Sequence, residues 1–179
     1  MLRYHRIMSM PAWLPAASPI ISTVSVTLAL IAFAYQVWRA RFNQSVDLLF
    51  KLEADFFGSN AKKIQRAKAA FGLVAGHPIE AEPILDFFET MALLLTRGAL
   101  DEEMVWHTFF YWIDHYYAAL EPYIQSRQKQ DPLVWNDLAD LVQRVRTFQR
   151  QRLGASSLPP LSDEEVARFL AEEQDEATL

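Results

Sequence analysis

The chain contains no cysteine. That absence removes disulfide bonds, thiolate metal sites and cysteine nucleophiles, and it fits a reducing compartment. Glycine is almost as scarce, with five in 179 residues. So few glycines and turn dipeptides argue against an all-β chain, which needs many tight turns. There is no Gly-rich phosphate loop, no H-E-x-x-H, no nucleophile elbow, no internal repeat and no low-complexity run. Charge is missing from one long stretch: no Asp, Glu, Lys or Arg occurs between Ile7 and Trp38.

What is present is apolar and aromatic. Twelve Phe, six Tyr and five Trp, within a hydrophobic content of 51%, are ample for a core in a chain of this length. The net charge of −5 conceals an asymmetry. Residues 39–68 carry seven Lys or Arg against three acids, whereas residues 69–179 carry eight against nineteen. The basic part lies directly beside the uncharged stretch.

The core of that stretch, Pro19 to Trp38, has about the length of a membrane-spanning helix, which needs roughly twenty apolar residues. Its Ser and Thr hydroxyls can bond carbonyls of the preceding turn, and Trp13, Tyr35 and Trp38 suit the two interfaces. Arg39, Arg41 and the basic residues beyond predict an outside N-terminus and a cytoplasmic C-terminal side, in the inner membrane of a bacterial cell. Arg3, His5 and Arg6 compete from the other flank, and a start at Met8 or Met10 would remove them. A rival reading is a signal peptide cleaved after Ala34, at Ala32-Phe33-Ala34; Trp13, Pro15 and Pro19 interrupt its apolar region and disfavour it. Ser18, Ser22, Ser25, Ala29 and Ala32 share one face of the helix, a candidate surface for close approach of a second membrane helix.

Helical periodicity accounts for the rest, so the expected fold class is all-α: a transmembrane helix, a cytoplasmic bundle of about five helices and a short acidic tail helix. The expected division is a flank at 1–18, the membrane helix at 19–38, a helical domain at 39–152, a linker at 153–161 and the tail at 162–179. The first domain helix runs from Arg39 to Phe57, with Phe42, Val46, Leu49, Phe50, Leu52, Phe56 and Phe57 on one face. A basic helix follows from Ala61 to Leu73, with Ile64, Ala67 and Phe71 inward. The next spans Glu82 to Arg97, and the longest runs from Asp101, its N-cap, to Lys129 with a broad aromatic arc. Asp131-Pro132 opens the one after it, and Ser162-Asp163-Glu164-Glu165 is a capping box for the tail helix. With only Val166, Phe169 and Leu170 to dock, the tail is expected to be mobile or partner-dependent.

Ile84-Leu85-Asp86-Phe87-Phe88-Glu89, then Leu100-Asp101-Glu102-Glu103, then Tyr123-Ile124 with Arg127, then Trp135 before Leu138 and Leu141, form a series. It resembles the bacterial domain-of-unknown-function family numbered 4760, over about Ala40 to Phe148. Members often carry a single N-terminal membrane helix and commonly show Asn where this chain has Asp86. The resemblance implies architecture and brings no established activity.

Three sets of residues are candidates for chemistry. Glu103, His107, Asp114 and Glu121 share a face of the long helix, where Asp86 and Glu89 could join them in an oxygen and imidazole metal site. The Glu-x-x-His pattern of di-iron bundles is absent, so a solvated polar face is expected and no cofactor is predicted. Glu53 sits amid an apolar face, which predicts a buried carboxylate neutralised by Arg66, Arg97 or Arg127. Glu89 and Arg127 are further candidates for buried polar positions. Lys62, Lys63, Arg66 and Lys68 form a basic cluster suited to an anionic bilayer surface. No nucleic-acid motif accompanies it, and nucleic acid is not an expected partner. The expectation is a membrane-tethered helical scaffold, sensor or regulator that binds a protein partner or itself. A tethered enzyme and an exported helical domain are the alternatives.

Overall fold

The computed structural model describes the backbone of residues 14–175 and, apart from Val24, the side chains of residues 23–175. Among these residues the chain is all α, with no strand. Six α-helices follow in order: α1 (Leu14–Glu53), α2 (Asn60–Val74), α3 (Glu82–Thr96), α4 (Glu102–Gln128), α5 (Asn136–Leu153) and α6 (Asp163–Asp175). A π-helical turn at Ala54–Gly58 follows α1, and a 3-10 turn at Pro78–Ala81 precedes α3. Two compact units divide at Asn43 and Gln44, within α1.

In the first unit, α1 is continuous across the junction expected at Arg39. Val26, Leu28, Leu30, Ile31, Phe33, Tyr35 and Trp38 are all more than half exposed. The Thr27 hydroxyl donates to the Thr23 carbonyl at 2.9 Å, the backbone bond expected of hydroxyls in this helix. Among the described residues no helix is long and apolar enough to cross a membrane. The side chains of Pro19 to Ser22 and of Val24, within the expected membrane helix, lie outside the described residues, as does Ser18. Of the small-residue face, Ser25, Ala29 and Ala32 are described, and all three are exposed.

The second unit is built around α4, whose length and broad apolar arc let it meet several neighbours. Val105, Phe109, Ile113, Tyr116, Leu120 and Ile124 are buried at helical spacing along that arc. Asp101 caps α4 by accepting the Met104 N–H at 3.1 Å. From α3 come Ile84, Leu85, Phe88, Met91, Ala92 and Leu95, and from α5 Leu138, Leu141, Val142 and Val145. The last turns of α1 contribute Leu49, while Phe50, expected to face inward with it, is exposed.

Two expectations are corrected here. First, α2 is turned over relative to the expected packing. Ile64 and Phe71, placed inward by their size, are 59% and 67% exposed. Ala67 is inward as expected, and the rest of the buried face is Arg66, Ala69, Ala70 and Gly72. Small residues let neighbours approach closely, and Gly72 is where approach is tightest. A Cβ there would meet the Glu80 Cβ at 2.8 Å and the His77 carbonyl oxygen at 2.9 Å. Second, Asp131 caps only a turn, accepting the Leu133 N–H at 3.0 Å. Helix α5 starts later, at Asn136, after Trp135 adopts a left-handed conformation with φ 50°.

The tail helix is not loose. Its capping box forms as expected: Glu165 accepts the Ser162 N–H at 2.8 Å, and Ser162 Oγ accepts the Glu165 N–H at 3.3 Å. This bonding holds the Glu165 carboxyl below the usual carboxylate range. Phe169 and Leu170 are buried in the common core, and α6 packs on α2 and α4.

These placements have opposite consequences for two phenylalanines. In chemical denaturation of the full chain, Phe109→Ala should lower stability by about 3–5 kcal/mol. Phe71→Ser should stay within about 0.5 kcal/mol of the parent. A large loss on changing Phe71 would mean that α2 packs with its bulky face inward after all.

Candidate functional site

Arg66 is 1% exposed. A guanidinium stays charged at any ordinary pH, so its burial demands an opposite charge and polar contacts. Glu173, on α6, provides the charge, with Oε2 at 3.3 Å from Arg66 Nε. The same oxygen accepts the Tyr116 hydroxyl at 2.7 Å, and Oε1 accepts the Trp112 indole N–H at 3.1 Å. The Arg66 guanidinium also lies over Phe56, 4.8 Å from its ring centroid, and over Phe57 at 5.4 Å. The π-helical turn makes this possible by widening the backbone where both rings must face inward. Four elements thus meet at one buried ion pair, and Phe169 closes it, edge-on to Tyr116 at 4.9 Å.

A second constellation joins α3 to the start of α5. The Trp135 indole N–H donates to Asp86 Oδ1 at 2.9 Å, holding the tryptophan in its left-handed conformation. One turn on, Glu89 Oε1 accepts the Asp137 N–H at 3.1 Å and so caps α5 from another helix. Burial pushes the Glu89 carboxyl above its ordinary range; the Asp137 N–H opposes this, while the Asp137 and Asp86 charges add to it. Nearby, the Tyr123 hydroxyl donates to Glu82 at 2.6 Å, and Arg127 Nε lies 3.6 Å from the same carboxylate. Burial, then the bond and charge of Glu82, push the Tyr123 phenol up to about 12.

Of the polar face expected on α4, Glu103, His107 and Glu121 are exposed as expected, and Asp114, which is buried, is the exception. Helix α5 brings arginines to two of its members, Arg146 to Asp114 at 2.5 Å and Arg152 to Glu103, while Arg144 reaches Glu102, which is off that face, at 2.9 Å. No group of three or more His, Asp or Glu that could hold a metal occurs among the described residues.

Other expected positions also move. Glu53 is half-buried at the end of α1 and forms no ion pair among the described residues. Its expected partners are engaged or remote: Arg66 pairs with Glu173, Arg127 with Glu82, and Arg97 is exposed. The basic cluster divides. Arg66 is interior and cannot touch a bilayer, Lys62 lies 3.6 Å from Asp55, and Lys68 lies 2.8 Å from Glu80. Glu89 and Arg127 are half-buried and engaged, but not with Glu53. Glu173 was the residue missed. It lies three and four residues beyond Leu170 and Phe169, so an acid on the apolar stripe of the tail was visible.

The fold and these contacts define an all-helical bundle in which polar groups join one helix to another. The chain belongs to the family described as Domain of unknown function (DUF4760), whose match covers residues 19–145. No curated protein and no solved structure matches it. Arg66, Asp86 and Glu89 fall inside the family match, and Glu173 falls outside it.

Removing Glu173 alone, as Glu173→Ala, should cost about 3–5 kcal/mol by leaving the arginine buried and uncompensated. The double variant Arg66→Met with Glu173→Met should recover most of that loss, as apolar replacements of buried pairs do. Denaturant midpoints of the full chain measure both, and failure of the double variant to recover would argue against the ion pair as cause. Glu89 gives a pH-dependent outcome. Between the ordinary glutamate pKa and the raised one, the folded chain keeps a proton that the unfolded chain has released. Stability therefore falls as pH rises through that window. Glu89→Gln retains an acceptor for Asp137 and should abolish this component of the pH profile; an unchanged profile would contradict the assignment.

Proposed function

We propose that the chain is a single-pass membrane protein with an outside N-terminus and a cytoplasmic helical domain, acting by binding rather than by catalysis. The supporting observation is the surface of α1. From Val26 to Trp38 large apolar side chains stand exposed over most of its circumference, the uncharged small residues Ser25, Ala29 and Ala32 with Gln36 taking the rest. A helix apolar over most of its circumference is unstable in water and finds its place in lipid or in a protein interior. The uncharged run from Pro19 supplies the length, and Arg39 and Arg41, both exposed, supply the cytoplasmic flank.

The binding role is supported by the fates of the candidate catalytic groups. Asp86 and Glu89 hold the start of α5, and Glu103 and Asp114 hold its arginines. Such groups are committed to architecture. A scaffold, sensor or regulator needs a rigid domain and a free surface, both of which this unit offers. The occupant of that surface is a protein partner or a second copy of the chain.

Two measurements test this reading. Alkaline extraction of membranes should leave the full-length chain in the pellet, and a reporter fused after Leu179 should be active on the cytoplasmic side. Release into the supernatant would remove the anchor. A reporter active only outside would reverse the topology or favour cleavage after Ala34.

A further inference from the structure

The inversion of α2 leaves an apolar stripe on the surface of the second unit. Ile64, Phe71 and Val74 are 59%, 67% and 67% exposed, and Ala67, on the same arc, is buried beneath them. At about 100° per residue these four lie within one narrow arc of α2, and Lys63 and Lys68 flank it at roughly 60° and 80° from its centre. Beside the stripe runs an open groove of about 750 Å³, lined by Ile64, Ala67, Phe71, His77 and Glu80. No described side chain covers Phe71, although the same helix buries an arginine and two alanines completely.

We propose that this stripe is a second, interfacial membrane contact, with an anionic bilayer surface as its occupant; the inference rests on the membrane-anchored reading above. A bulky apolar ridge bordered by lysines on both edges is the pattern of a helix lying in the headgroup region. The lysine stems extend the apolar surface while their ammonium groups reach the phosphates. Lys63 forms no ion pair among the described residues, and Lys68, though close to Glu80, is two-thirds exposed along its side chain. Asp175 at the rim of the groove opposes anionic lipid, so insertion of Phe71 and Ile64 carries the contact and the lysines orient it. Since one chain carries both anchor and stripe, the bilayer is present at high effective concentration, and a weak interface suffices.

The absence of cysteine makes the test direct. Single cysteines are placed in the full-length chain at Val26→Cys, Phe71→Cys and Leu133→Cys, the last 80% exposed and outside α2. Each is labelled with a bimane fluorophore in vesicles of phosphatidylcholine and phosphatidylglycerol. Accessibility is read by iodide from water and by doxyl-labelled lipid from the bilayer. The expected result is lipid quenching at positions 26 and 71 and iodide quenching at 133, with loss of lipid quenching at 71 on Lys63→Glu with Lys68→Glu. Lipid quenching at 26 with iodide quenching at 71 overturns the stripe and leaves the anchor standing. Iodide quenching at 26 overturns the anchor, whatever position 71 shows. Protection of 71 from both quenchers makes the stripe a protein interface, and lipid quenching at all three positions denies it any special role; either result overturns the proposal.

Discussion

A charged arginine in the middle of a helical bundle is the constraint on which the second unit turns. Arg66 carries a guanidinium into the interior, so everything around it must compensate for the water it has lost. Glu173 supplies the countercharge, Trp112 and Tyr116 fix that carboxylate, and Phe56 and Phe57 cover the cation's face. These partners arrive on three different elements. The end of α1 widens into a π-helical turn, α2 rotates its small face inward, and α6 folds back from the end of the chain. Replacing the pair with apolar groups is expected to recover most, not all, of the stability lost with Glu173 alone, since the Tyr116 hydroxyl and the Trp112 N–H would lose their acceptor. The pair ties α6 to α2 in the register observed.

Helix α4 coordinates the remainder. One side of it meets the core and the Arg66 centre, while Glu102, Glu103 and Asp114 each receive an arginine from α5. The start of α5 is in turn held by Asp86 and Glu89 of α3. Carboxylates that in isolation suggest a metal site therefore form the seams between helices. Trp135, strained and buried, marks the point where the chain must turn from α4 into α5 within a few residues.

How much of this was legible in the sequence varies by element. Helix α4, its Asp101 cap, the start of α3 and the capping box of α6 were readable, because cap chemistry and a wide apolar arc are local signals. The orientation of α2 was not. Ile64, Ala67 and Phe71 share one helical spacing and Arg66, Ala69, Ala70 and Leu73 share another, and size favours the wrong one. Only the close approach of the His77 to Glu80 turn at Gly72, a tertiary fact, decides between them. Glu53 drew attention as an acid on an apolar face, and the same logic applied to the tail would have found Glu173. Its partner lies more than a hundred residues away, and sequence spacing does not reveal such pairings. The start of α5 was misplaced for a similar reason, since its cap comes from α3.

The tail helix is where the account is most exposed. Its composition suggested a loose appendage, yet its glutamate neutralises the most deeply buried charge in the unit, from outside the part of the chain that matches the family. Hydrogen exchange on the full-length chain tests this directly. If Glu173 is integral to the core, the amides of the buried turns of α6 will be protected to a degree comparable with those of α4, since neither can open without exposing Arg66. Exchange of α6 at the rate of an unstructured segment, while α4 stays protected, would contradict the account and leave Arg66 to be neutralised by something else.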